Sequence, residues 1–250
     1  MTSGSRRYVA LSVAVILVLA LTLPLSIVAT SWHARWQAFR LLACARMIHP
    51  GATTESQARN TLSRFEKYLL RGQEWTSGRP AANRDSYLIS NYPGWVMSIA
   101  SHIPSWAQDY VLCLPYTAFS VSPRYRNGEL VLLEVSESQD HRGDIHPFHA
   151  IVRILSTGSE MDEPELPDSF SGFQVSPYEE AAFDENQRQI GPSWIIREYV
   201  TLDERASPDQ FDRSFRFNLG CLTSFFGCHD ARKILPLHEV KAGLVFPHKQ

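Results

Sequence analysis

The densest group of side chains that could bind a metal ion lies in residues 141–149, with the sequence HRGDIHPFH. Imidazole and carboxylate groups are ligand types that zinc uses in proteins. In an extended chain, however, Asp144 and His146 would share one face and His149 would point to the other. No HExxH or paired CxxC spacing supports a metal site, and a surface turn before a strand accounts for the same residues. We therefore expect no cofactor, and the metal candidates are His141, Asp144, His146 and His149.

The chain contains four cysteines, Cys44, Cys113, Cys221 and Cys228. They could form two disulfides in three different pairings. Cys221 and Cys228 close a short loop that contains a glycine, so we predict a disulfide between them in an oxidising compartment. Six residues between the two cysteines is an unusual spacing for metal ligands. The chain has no glycine-rich phosphate loop, nucleophile elbow or kinase signature, and we assign no catalytic residue.

The C-terminal segment has the pattern Cys-Leu-Thr-x4-Cys-x-Asp-Ala-x3-Leu-Pro between Cys221 and Pro236. With an apolar N-terminal segment and a helix, Pro-Gly-Ala-Thr-Thr and a second helix, it resembles a family of uncharacterised, N-terminally membrane-anchored bacterial proteins. This resemblance covers both ends of the chain and implies no known activity. Residues Leu41–Leu62 are also similar to the helix–Gly-x-Thr–helix hairpin of small outer-membrane assembly lipoproteins, whose acylated cysteine has no counterpart here.

The N-terminal segment Tyr8–Ala29 contains no charged residue. As a helix, a run of this length spans the roughly 30 Å hydrocarbon layer of a bilayer. Arg6 and Arg7 precede the run, and Trp32 and Trp36 follow it, as at a membrane interface. A cleaved signal peptide and a buried core helix are the alternatives. We expect a single-pass signal-anchor over residues 1–31.

The orientation of this segment is not decided by charge, because basic residues stand on both sides of it. The short head before a first apolar segment favours a cytoplasmic N-terminus and an extracytoplasmic domain. Residues 31–71 carry seven basic and two acidic residues, whereas residues 131–250 carry eleven basic and twenty acidic ones. The basic part suits anionic lipid head groups. The acidic part argues against nucleic acid as a partner.

Residues 32–71 are predicted to form a juxtamembrane helical hairpin. Its first helix, Trp32–Ile48, has an apolar stripe flanked by arginines that faces either the membrane interface or the core of the domain. The stripe consists of Trp32, Trp36, Phe39, Ala43 and Met47. Pro50-Gly51 ends this helix, and the capping-box pattern Thr54–Gln57 begins a second helix that we expect to reach about Leu70.

Residues 86–250 are predicted to form a domain rich in antiparallel sheet. Asn127-Gly128 is a strong hairpin signal between apolar strands at Ala118–Arg126 and Glu129–Ser136. Further strand candidates are Tyr87–Ile89, Trp95–Ile99, Tyr110–Ser120, Phe148–Leu155, Phe170–Val175, Trp194–Leu202 and Ser214–Leu219. Helices grouped at one end and strands after them predict an α+β fold.

These features favour a membrane-anchored extracytoplasmic module that binds a partner or supports the envelope without catalysis. Its expected partners are the lipid bilayer and a protein of the envelope. The alternative is an anchored metal-dependent hydrolase that uses the His141–His149 cluster. A cytoplasmic orientation with reduced thiols is a third hypothesis, which differs from the first in topology.

Overall fold

The structure is a computed structural model. It describes residues 3–71, 85–92, 94–100, 102, 114–140, 148–156, 173–180, 195–203, 206–224, 227–228 and 231–235. In parts of these ranges, including residues 3–21 and 173–180, it describes the backbone alone. None of the helices searched within the described residues is long and apolar enough to cross a membrane.

The first helix, α1 (Ser3–Ala45), is continuous and contains Pro24. The predicted helix that begins at Trp32 is therefore the C-terminal part of a longer one. At the C-terminal end of α1, the amides of Arg46, Met47 and Ile48 donate to carbonyls of the preceding turn. Gly51 then reverses the chain with a φ of +78°, a value that glycine adopts without strain.

Helix α2 (Glu55–Leu62) begins with the predicted capping box. The Thr54 hydroxyl accepts from the Gln57 amide at 3.3 Å, and the Gln57 side chain accepts from the Thr54 amide at 3.0 Å. The predicted end near Leu70 is wrong, because the chain continues as a 3₁₀ helix (Ser63–Tyr68) and then as strand β1 (Leu69–Arg71). Strand β1 pairs with β2, so its backbone hydrogen bonds go to the sheet instead of a helix.

Within the described residues, seven strands form one sheet in the order β1-β2-β3-β4-β5-β7-β6. Every neighbouring pair is antiparallel except β5 and β7, which are parallel. The predicted α+β class with a mainly antiparallel sheet is confirmed. The remaining strands are β2 (Asp85–Ser90), β3 (Tyr116–Arg126), β4 (Glu129–Asp140), β5 (Phe148–Leu155), β6 (Phe173–Glu180) and β7 (Ile195–Leu202).

The β3–β4 hairpin turns at the predicted dipeptide. Asn127 and Gly128 have φ values of +54° and +81°, as the central residues of a type I′ turn do. Alternation along the strands then places Phe119, Val135 and Val152 on one face of the sheet, where they are fully buried. Buried residues of α1 and α2, such as Leu41 and Leu62, belong to the same core.

Two predicted strands are wrong. Trp95–Ile99 lies in helix α3 (Gly94–Ala100), where Val96 packs with Ile27, Tyr92 and Leu114 in a second, smaller cluster. A short apolar run fits a strand and a buried helix equally well by pattern, and here the packing of Val96 in this cluster decides between them.

The other misassigned strand, Ser214–Leu219, lies between helix α4 (Pro208–Ser214) and a 3₁₀ helix (Leu219–Thr223). Ser207 and Gln210 form a capping box at the start of α4, the same signal that marks α2. A last short helix, α5 (Ala231–Ile234), follows.

Candidate functional site

Large apolar side chains are exposed along one side of α1. Trp32, Trp36 and Phe39 are between 54% and 64% exposed, Leu25 is exposed nearer the N-terminus of the helix, and Met47, also exposed, follows two residues after the helix ends at Ala45. These residues include four of the five members of the predicted stripe, and the fifth, Ala43, is exposed as well. The stripe therefore points away from the core of the domain.

The opposite side of α1 carries the packing contacts with the domain. Ala34, Ala38, Leu41, Ala45 and Ile48 are buried against the sheet and α2. Small alanines allow the helix to lie close to its neighbours, and the leucine and isoleucine fill the remaining volume. Because this side anchors α1 to the domain, the exposed stripe is held in a fixed position.

Two arginines cover the indole rings of the stripe. The guanidinium carbon of Arg35 lies 5.4 Å from the ring centroid of Trp32, and that of Arg40 lies 4.6 Å from Trp36. Such cation–π contacts place a positive charge next to an exposed aromatic face. We call Trp32, Arg35, Trp36 and Arg40 the aromatic–arginine surface.

Arg46, the third arginine near the stripe, has a different role. Its Nη2 atom donates a hydrogen bond of 2.7 Å to the Phe215 carbonyl, which ties the end of α1 to the segment after α4. It is thus a structural contact and no part of the aromatic–arginine surface. Arg6 and Arg7 lie in the N-terminal part of α1, and only the backbone of that part is described.

The predicted Cys221–Cys228 disulfide is present, with 5.4 Å between the two Cα atoms. The Cys228 amide donates to Gln139 Oε1 at 2.7 Å, and Gln139 Nε2 donates to Thr117 Oγ1 at 3.1 Å. The bridged loop is thereby fastened to β4 and β3. These contacts give the disulfide a structural role at the C-terminal side of the core.

The other thiol that the structure describes, Cys44, is free and buried. Its sulfur accepts a hydrogen bond from Arg64 Nη2. Cys44 is therefore a core residue of α1. Cys113 lies outside the described residues.

Of the four metal candidates, only His149 lies within the described residues. It is partly buried on β5, opposite Ser138 of β4. His141, Asp144 and His146 lie outside the described part of the chain, so the predicted cluster stays a prediction. Across the residues that are described, no three histidine, cysteine or acidic side chains are grouped as metal ligands.

A buried carboxyl group was not expected from the sequence. Glu137 on β4 is fully buried between Phe119 of β3 and Ala150 of β5, and neither of its carboxyl oxygens has a hydrogen-bond partner within the described structure. Burial raises its pKa well above the ordinary value of 4.5. Alternation with Leu133 and Val135 is the sequence signal that places it on the core face.

A second charged cluster joins α2 to β2. Arg59 Nη2 lies 2.9 Å from Glu55 Oε1 and 3.2 Å from Asp85 Oδ2, and its guanidinium lies over the ring of Tyr125. Burial, with added repulsion from Tyr87 and Asp85 and against the opposing charge of Arg59, raises the pKa of the Tyr125 hydroxyl above its usual range. The contacts of Arg59 with Asp85 and Tyr125 fasten α2 to the sheet.

Comparisons with protein-family models, with curated proteins and with solved structures each find no match for this chain. The aromatic–arginine surface combines exposed apolar area, indole rings and positive charge on one helix.

Proposed function

We propose that the protein is a single-pass membrane protein whose domain is a non-catalytic module on the extracytoplasmic side of the envelope. One observation carries this proposal: the exposed aromatic–arginine surface lies on the same continuous helix as the uncharged run Tyr8–Ala29 and follows that run directly.

Distances along α1 support a head-group location for this surface. With a rise of 1.5 Å per residue, Trp32 lies about 5 Å and Trp36 about 10 Å beyond Ala29 along the helix axis. Side chains on a helix lean toward its N-terminus, so both indoles lean back toward the bilayer. The interfacial region occupies roughly 5–7 Å on each side of the hydrocarbon layer, so Trp32 lies within it and Trp36 lies just beyond it with its indole leaning back toward it.

The charges of the surface favour anionic lipid over a second copy of the chain. Exposed residues of α1 recur at positions 25, 29, 32, 36, 39 and 43, a spacing that also suits helix pairing. In a parallel pair, Arg35 of one copy would face Arg40 of the other, and like charges there oppose association. The phosphates of lipid head groups instead complement both guanidinium groups.

The disulfide supports the orientation of the domain. Disulfides persist in oxidising compartments outside the cytoplasm and are rare within it. The Cys221–Cys228 bridge belongs to the folded core through Gln139, so the domain that contains it is suited to the extracytoplasmic side.

The test uses the full chain with one added thiol, Asn60→Cys, in a Cys113→Ser background expressed in bacterial cells. Asn60 is exposed on α2, whereas Cys44 is buried and the other two cysteines are bridged. We expect a membrane-impermeant maleimide to label Asn60→Cys at full length on intact cells. We also expect the protein to stay in the membrane pellet after alkaline carbonate extraction.

A matched pair of variants controls for the anchor. Leu17→Arg places a charge in the middle of the apolar run, which costs roughly 3 kcal/mol of insertion free energy, whereas Leu17→Ile keeps the run apolar. We expect Leu17→Arg to reduce the pelleted fraction and Leu17→Ile to leave it unchanged. Labelling that requires cell lysis would overturn the orientation, and extraction of the unmodified chain by carbonate would overturn the anchor.

A further inference from the structure

We infer that helix α3 is a second membrane-contacting element, which lies against the lipid head groups next to α1. This inference rests on the proposed function, because it takes α1 as the membrane anchor. The occupant of the α3 surface is the bilayer itself.

The depth of α3 follows from a buried cluster that it shares with α1. Ile27 is fully buried in a cluster with Tyr92, Val96 and Leu114. Ile27 lies two residues before Ala29, which is about 3 Å inside the end of the uncharged run. Because Val96 packs in the cluster that buries Ile27, α3 lies at the height where the hydrocarbon layer meets the head groups.

The position of α3 is fixed by hydrogen bonds on its N-terminal side. The Tyr92 hydroxyl accepts from the Leu114 amide at 2.9 Å and donates to the Leu114 carbonyl. The Asn91 side chain bonds the Pro115 carbonyl at 2.7 Å and the Thr117 amide at 2.9 Å. These contacts tie the chain before α3 to the start of β3, so the sheet fixes the position at which α3 begins.

The exposed side of α3 has the composition of an interfacial element. Trp95 is 52% exposed, and Gly94 and Ser98 are exposed beside it. Residues 86–108 contain no lysine, arginine, aspartate or glutamate, so the segment around α3 carries no charge that would oppose contact with the hydrocarbon boundary. Tryptophan is enriched at this depth because its ring is apolar and its N–H can bond to head groups or water.

The inference is tested by the depth of three fluorescent labels in the full chain, reconstituted into vesicles that contain anionic phospholipid. One cysteine at a time is added to the Cys113→Ser background and labelled with an environment-sensitive fluorophore. Ser98→Cys reports on α3, Thr22→Cys reports on the anchor, and Asn60→Cys reports on an exposed part of the domain. The background without an added cysteine measures residual labelling.

Nitroxide-labelled lipids quench fluorophores that lie at their own depth. For Ser98→Cys we expect a blue-shifted emission and quenching by a head-group nitroxide that is several-fold stronger than for Asn60→Cys. For Thr22→Cys we expect the stronger quenching to come from a nitroxide in the acyl chain. Neither lipid should quench Asn60→Cys beyond the background.

Each remaining outcome contradicts a different statement. If Ser98→Cys behaves like Asn60→Cys while Thr22→Cys is quenched, the anchor is inserted and the inference on α3 is wrong. If Thr22→Cys is not quenched either, the proposed membrane anchor is wrong. If Ser98→Cys is shielded from aqueous iodide but not quenched by lipid, protein covers α3, and the bilayer is not its partner.

Discussion

Glu137 is the residue whose burial conflicts most with its chemistry. An ionised carboxylate without partners in an apolar core costs several kcal/mol, so the side chain is held in its protonated form. In the unfolded chain the same group ionises near its ordinary pKa of 4.5. Above that pH the unfolded state has lost a proton that the folded state retains, so the free energy of unfolding falls as the pH rises.

Replacement of Glu137 tests this account. We expect both Glu137→Gln and Glu137→Leu to remove the loss of stability that this group causes as the pH rises above its ordinary pKa of 4.5. Glu137→Leu should also raise the free energy of unfolding at neutral pH, by about 2 kcal/mol, because it buries no polar atom. Chemical denaturation of the full chain in detergent across this pH range measures both effects. An unchanged pH slope in both variants would show that another group is responsible.

Gly227 is a second position where a single atom matters. Its φ is +66°, and a Cβ there would lie 2.8 Å from Gln139 Cδ and 2.9 Å from Gln139 Oε1. Gly128 has a φ of +81° but no atom within 4 Å of a Cβ. Both substitutions by alanine strain the backbone, and only one of them also displaces the glutamine that holds Cys228.

We therefore expect Gly227→Ala to lower the free energy of unfolding by about 1 kcal/mol more than Gly128→Ala does. Parallel denaturation curves of the two variants measure the difference. Equal losses would mean that Gln139 moves aside without cost and that its contact with the bridged loop contributes little.

At the scale of elements, the two capping boxes show how local sequence sets helix starts. Thr54 and Ser207 each precede a glutamine by three residues, and both pairs form the reciprocal hydrogen bonds. The ends of the same helices are set differently. Helix α2 gives way to a 3₁₀ helix and to β1 because Leu69 pairs with Tyr87 of β2, a residue distant in sequence.

The cap at α2 gives a prediction with a conservative control. Thr54→Ala removes the hydroxyl that accepts from the Gln57 amide, so we expect a loss of about 1 kcal/mol in the free energy of unfolding. Thr54→Ser keeps the hydroxyl and should lose only a small part of that amount. If serine and alanine destabilise equally, the methyl group of Thr54 and not its cap is the stabilising feature.

Helix α1 shows where elements stop being predictable from their own sequence. The stripe of Trp32, Trp36, Phe39, Ala43 and Met47 is apolar throughout, and its periodicity fits a core as well as a membrane surface. The alanines at 34, 38 and 45 bind the domain instead, because close packing rewards small side chains as much as large ones.

At the scale of the whole molecule, the disulfide connects the C-terminal segment to the sheet. Closing a loop of this length stabilises a fold by about 2–3 kcal/mol through the entropy of the unfolded chain. We expect the Cys221→Ser/Cys228→Ser double variant to lose about that amount. The reducing agent dithiothreitol should lower the melting temperature of the unmodified protein and leave that of the double variant unchanged.

A reductant effect of equal size on both proteins would assign the stabilisation to another thiol. The measurement also bears on topology, since a domain that depends on this bridge is poorly suited to a reducing cytoplasm.

The sequence by itself determined the features that depend on signals acting over a few residues. The Asn127-Gly128 turn, the Thr54 cap, strand β5, the short disulfide loop and the uncharged N-terminal run all depend on neighbours along the chain. Only the tertiary structure decided which side of α1 is exposed, that Val96 lies on a helix and shares a cluster with Ile27, and that Glu137 is buried. Those outcomes depend on contacts between segments far apart in sequence. Periodicity identifies an apolar face, but it does not determine whether that face contacts the protein core or another surface.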